Sequence, residues 1–220
     1  MMNNYLRYTV FISIMILVLS CAAVPRKEVV TPEVPPPPEK KLPIAEQEKK
    51  SWQTYEEILN MTANVDRRTI LPQMEAGYWK IINEYPDTYL AQESYLRLIT
   101  MNLEDYSPPK IEKAEKLYKE FVEKYPDSRV KMFIDDIMAR FYYNSRLWEK
   151  LLDFCTPHVK EYLKTGTLKT PLFLFFYSEA KFNLDDLKEA EKGYKIIRRL
   201  FPKSMEARIS KKRLEEIKKQ

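Results

Sequence analysis

Two cysteines and one histidine are the only thiol and imidazole groups in the 220 residues. Cys155 and His158 stand at i, i+3, the helical spacing that puts a nucleophile and its base on one face. Pro157 falls between them and disturbs that geometry, and no oxyanion donor is suggested nearby. His158 therefore reads as a structural or surface residue. Cys155, set among Leu151, Leu152 and Phe154, reads as a buried thiol. The acidic pairs Asp135-Asp136, Asp185-Asp186 and Glu215-Glu216 are adjacent, so their side chains diverge on a helix and do not flank a scissile bond. Gly77, Gly166 and Gly193 are too far apart to build a phosphate-cradling loop or a dinucleotide turn. One His and two Cys supply no structural zinc site. The expectation is a chain that is not an enzyme, with no metal, no bound cofactor and no small-molecule substrate.

Cys21 has a different setting. Residues 1–20 begin short and polar with one cation, Arg7, and then run apolar from Val10 to Leu19. A spanning helix needs ~20 apolar residues, so this shorter run reads as a secretory signal. It ends at Val18-Leu19-Ser20-Cys21-Ala22. That phrase resembles a bacterial lipobox: an aliphatic at −3, a small residue at −1, then the cysteine that is lipidated. Lipid on Cys21 is the one covalent group expected, and it would anchor the chain by burying acyl groups. Ala22 after the cysteine resembles an outer-membrane address of the enteric type, with the protein facing the periplasm. Residues 21–50 hold Pro25, Pro32, Pro35, Pro36, Pro37, Pro38 and Pro43 among Lys and Glu. Proline removes donors and favours polyproline II, so this stretch reads as a disordered tether.

The remaining prolines punctuate a repeat in residues 51–220. Ile81-Ile82-Asn83-Glu84-Tyr85-Pro86-Asp87-Thr88 returns as Phe121-Val122-Glu123-Lys124-Tyr125-Pro126-Asp127-Ser128, and again as Ile197-Arg198-Arg199-Leu200-Phe201-Pro202-Lys203-Ser204. Pro86 to Pro126 is 40 residues and Pro126 to Pro202 is 76, close to two units of 38. Eight residues before each proline stands Tyr78, Tyr118 or Tyr194; twelve before stands Met74, Ala114 or Ala190. The alanine admits a close helix neighbour, the tyrosine fills the groove, and the proline ends the helix. Thr88, Ser128 and Ser204 then offer N-caps. Apolar spacing and these signals predict helices over 51–63, 71–85, 89–103, 109–125, 129–144, 147–164, 171–183, 187–201 and 205–218, with Pro157 kinking or splitting the sixth.

The alanine-x₃-aromatic-x₇-proline spine of Ala114, Tyr118, Pro126 and of Ala190, Tyr194, Pro202 resembles the tetratricopeptide repeat, over roughly residues 67–219. The resemblance implies an all-α solenoid of about nine antiparallel helices behind the tether. It further implies that the first helix of each unit lines a concave binding surface. On the aromatic helix 171–183, Phe175, Glu179 and Phe182 share one face, and the family register would set them on that surface as partner anchors; the competing reading is that they bury against a neighbouring repeat. With a lipidated cysteine added, the chain looks like the β-barrel assembly lipoproteins of the BamD/YfiO type. The partners so implied are envelope proteins of barrel-assembly, pilus or division machinery, met by a scaffold held at the outer membrane through its lipid.

The charge pattern supplies an alternative. Residues 198–220 carry nine Lys/Arg and three Asp/Glu, a net +6, against +5 for the whole chain. Arg198, Arg199, Lys211 and Lys212 mark a basic patch at this end of the chain, either a solvated cap or a site for an acidic partner, for peptidoglycan or another anionic envelope polymer, or for anionic lipid. Nucleic acid is not an expected partner of an exported chain. Palmitate is expected to label the wild-type protein in cells and to be lost in Cys21→Ala; label that persists in the variant would refute lipidation at this residue.

Overall fold

The computed structural model describes residues 41–63 and 65–219. The signal-like stretch, Cys21 and the proline run up to residue 40 lie outside the described residues. The described chain contains nine α-helices and no strand: α1 (Ile44–Thr62), α2 (Leu71–Glu84), α3 (Tyr89–Thr100), α4 (Ile111–Lys124), α5 (Lys131–Asn144), α6 (Trp148–Thr165), α7 (Leu172–Asn183), α8 (Leu187–Leu200) and α9 (Met205–Ile217). Each answers to a predicted helix. A short 3₁₀ turn, Arg67–Ile70, and a π turn, Met101–Asp105, were not foreseen. The first helix starts at Ile44, inside the stretch read as tether. Pro43 is the last proline before it, and residues 44–50 are helix formers free of proline.

The three repeated phrases fold alike. Tyr85, Tyr125 and Phe201 leave the α region at φ −129°, −132° and −129° with ψ 51°, 62° and 53°. Proline forces this: the residue before it clashes if it stays helical. Each of the three still donates its N–H four residues back, to Ile81, Phe121 and Ile197. The N–H of Thr88, Ser128 and Ser204 then donates to the carbonyl of that same aromatic, at 3.0 to 3.2 Å. Thr88 and Ser204 go on to cap α3 and α9, accepting from Ala91 and Ala207 at 3.1 Å. Ser128 accepts instead from Val130, and α5 starts one residue later at Lys131.

Helices stack in chain order. Odd-numbered helices also touch the next odd one, from α1–α3 through α7–α9, and no pair of even-numbered helices comes as near among the described residues. The spine residues are the buried ones: Met74, Ala114 and Ala190, then Tyr78 and Tyr194, then Ile81, Phe121 and Ile197. At α7–α8 the approach is so close that a Cβ on Gly193 would stand 2.0 Å from the Ser178 hydroxyl. The backbones of α4 and α5 stand farther apart, and tyrosine–carboxylate bonds span the gap. Tyr118 donates to Asp135 at 2.7 Å and Tyr142 donates to Glu115 at 2.8 Å. Burial, together with the carboxylate, pushes both phenol pKa values up, so each keeps the proton it donates.

Candidate partner-binding cleft

Pairing α1 with α2, α3 with α4, α5 with α6 and α7 with α8 gives four units, and the turn inside the third, between α5 and α6, repeats the turn inside the fourth, between α7 and α8. Arg146 and Asp185 both take left-handed backbone, φ 56° and 64°. Around them the bonds correspond: Leu147 N–H to Tyr142 and Asp186 N–H to Lys181, both at 2.9 Å. The two units are thus offset by 39 residues. In that register α6 carries Leu151 at the alanine position and Cys155 at the tyrosine position, both fully buried. Tyr162 takes the aromatic position. Leu163, 69% exposed, stands where a proline would be.

Without that proline α6 does not stop. It has 18 residues where α2, α4 and α8 have 14, and it ends at Gly166, whose φ of 68° suits glycine alone at little cost. Of the two outcomes expected at Pro157, a kink or a split, the split does not occur; α6 is continuous from Trp148 to Thr165. Loss of one N–H donor is tolerated where the rest of the helix is packed. A longer connection, 166–171, then returns the chain to α7.

This departure opens a cleft of about 670 Å³ between the start of α5, the end of α6, the connection and the start of α7. Its walls are apolar: Met132 and Phe133 on α5, Val159 and Tyr162 on α6, Leu168 on the connection, Leu172 and Phe173 on α7. Asp136, Glu161, Lys169 and three threonines, Thr165, Thr167 and Thr170, form the polar part of the lining. Met132 and Phe133 remain 63% and 53% exposed, an apolar lip that the rest of the described chain does not cover. The size falls within the ~300–1,000 Å³ of ligand clefts.

His158 forms one wall. Its ring stacks on Phe173, with centroids 4.0 Å apart and planes at 8°, and Nε2 stands 3.6 Å from buried Asp135. Asp135 also accepts from Tyr118 and from Lys131. Burial of the imidazole holds its pKa below the usual value; Asp135 opposes the shift and Lys131 adds to it. An aromatic chain, Tyr118–Phe154–His158–Phe173, carries packing from α4 to α7. Burial pushes the Cys155 thiol pKa up, and no hydrogen bond joins Cys155 to His158 among the described residues. No group of three or more His, Cys, Asp or Glu able to hold a metal occurs among the described residues. No described helix is long and apolar enough to cross a membrane.

Of the two readings of this face of α7, the concave-surface one gives way to the core one. Phe175 is buried at 4% exposure and Glu179 at 0%, and only Phe182 is half-buried. Helix α7 is enclosed by α5, α6, α8 and α9, so this face is core. Glu179 is the reason a charge can sit there. The Arg213 guanidinium grips it through Nε at 3.0 Å and a terminal nitrogen at 2.9 Å, and Tyr194 donates to it at 2.7 Å. Tyr143 donates more weakly, at 3.4 Å. Phe182 lies under the same guanidinium, 4.5 Å from ring centroid to carbon. Sequence spacing placed these three residues on one face correctly but could not say what covers it. Arg198, Arg199, Lys211 and Lys212 are all exposed, as expected, and none pairs with a described carboxylate.

Arg213→Met is expected to cost about 3–5 kcal/mol, because it leaves a buried carboxylate without its cation. Adding Glu179→Gln should recover part of that loss; urea unfolding of single and double variants measures both, and additive losses would refute the pairing. His158 should titrate below ~6.5, its unfolded value. Neutral imidazole is then the form the fold prefers, so stability holds above that pH and falls as pH drops below it. Unfolding midpoints between pH 5 and 8 should slope less in His158→Phe than in wild type. No protein-family model matches the chain, and neither does any curated protein or solved structure.

Proposed function

We propose that the chain is an envelope scaffold of the tetratricopeptide kind that holds an apolar segment of another envelope protein in the cleft of its third unit. The observation that carries this reading is the cleft itself, made where one unit departs from a turn that three others keep. A repeat stack is uniform unless something displaces the pattern, and departures from local consistency concentrate at working sites. The pairs α1/α2, α3/α4, α5/α6 and α7/α8 act as units, with α9 closing the stack. The tetratricopeptide assignment is supported by the alanine–tyrosine–proline spine on the second helix of a pair and by contacts between successive first helices. Contacts of that kind are what first helices on the inside of a curved stack would make.

Lipid on Cys21, a proline tether and a periplasmic position at the outer membrane complete the reading, and outer-membrane protein assembly is the pathway it favours. No small molecule or nucleic acid is required. A partner segment would seat apolar side chains against Phe133 and Phe173, with its polar groups at the threonine rim. A photo-crosslinking amino acid at Phe133 should capture an envelope protein in intact cells. The same group at Lys119, exposed on α4, should not. Adducts of equal yield at both positions, or none at Phe133, would refute the cleft as the binding site.

A further inference from the structure

The C-terminal end of the stack has a surface that the cleft does not explain. Helix α9 buries Ala207, Ser210 and Leu214 against the helices before it, and no further described helix covers its other side. That open side carries Met205, Arg208 and Lys212 at i, i+3 and i+7, all exposed. Of the nine cations in 198–220, only Arg213 forms an ion pair with a described residue; the other eight are exposed. Unpaired lysines also occur on earlier helices, but there they alternate with pairs such as Lys50–Glu46, Arg97–Glu93, Arg140–Asp136 and Lys195–Glu191, whereas 198–220 concentrates nine cations against three acids. Two large apolar side chains are exposed within this charge: Leu200 at 44% and Met205 at 58%, on either side of the turn at Pro202.

We infer that the α8–α9 turn and the open face of α9 dock on a bilayer surface that bears anionic phosphate headgroups. The net +6 complements such a surface, and lysine and arginine chains reach headgroup phosphates while their stems lie along apolar matter. Leu200 and Met205 decide between a bilayer and a soluble polyanion. A hydrated polymer offers them no apolar phase, whereas the acyl boundary below the headgroups does. Docking here holds the repeat stack by its C-terminal end. It depends neither on lipid at Cys21 nor on a partner in the cleft.

Hydrogen exchange on the full-length chain tests this, because it reads the segment itself and not the attachment of the N-terminus. With phosphatidylcholine vesicles, residues 198–212 should exchange as in buffer. With vesicles that also contain phosphatidylglycerol, their exchange should slow several-fold, and added salt should reverse the effect. Arg199→Glu with Lys212→Glu should abolish the protection, and Leu200→Ser with Met205→Ser should weaken it. All four positions are exposed, so unfolding midpoints should stay near wild type. Equal exchange with both vesicle types overturns the proposal. Protection that survives Leu200→Ser with Met205→Ser, or that soluble peptidoglycan fragments reproduce in full, also overturns it, since the surface then binds polyanions without a bilayer.

Discussion

A residue that precedes proline is kept out of the α region by the clash of the pyrrolidine ring with its own backbone, and that restriction sets where α2, α4 and α8 stop. The three stops share one backbone conformation because one steric rule made them. The stop fixes the length of the second helix in a unit, and the next threonine or serine fixes where the following helix begins. Stacking in register needs both. Where Leu163 replaces the proline, the helix runs on, the connection lengthens and the cleft appears. Leu163 thus stands where the regular part of the stack gives way to the cleft.

Hydrogen bonds from tyrosine to carboxylate settle the register between helices. Tyr95 to Glu120, Tyr118 to Asp135, Tyr142 to Glu115 and Tyr194 to Glu179 each join two helices, with donor–acceptor distances from 2.5 to 2.8 Å. A slid helix would leave a buried hydroxyl or carboxylate unpaired, at a cost of roughly 1–3 kcal/mol for each group. Apolar packing alone is less exacting, because leucine and isoleucine accept small shifts. The most enclosed of these carboxylates, Glu179, also meets Arg213, so α9 is fastened to α7 by charge, in addition to burying Ala207 and Leu214 in the core.

The helices were legible in the sequence because their signals are local. Proline ends, threonine and serine caps and the 3.6-residue apolar period all act within one turn or two, and the predicted bounds fall close to those observed. The start of α1 was misplaced because Pro43 belongs to both the proline run and the helix entry. Burial was harder to read. Phe175, Glu179 and Phe182 do share a face, but which neighbours enclose it follows from how α5, α8 and α9 stack, and no local pattern encodes that. The third unit was found only as a gap in the proline series. Its register was present in the sequence, in Asn144-Ser145-Arg146-Leu147 set 39 residues before Asn183-Leu184-Asp185-Asp186, with Tyr162 and Leu163 at the aromatic and proline places. The signal was weak because cysteine had taken the tyrosine position and leucine the alanine position.

The connection at 166–171 begins at a glycine whose added Cβ would meet nothing within 4 Å. It lies between two helices that are anchored elsewhere, α6 through Leu151 and Cys155 and α7 through Glu179. In a stack of nearest-neighbour contacts, a segment of this kind is free to vary in length and composition without disturbing units distant from it. Substitutions in these six residues would therefore reshape the lining of the cleft, while the tyrosines, carboxylates and prolines that hold the stack are left untouched.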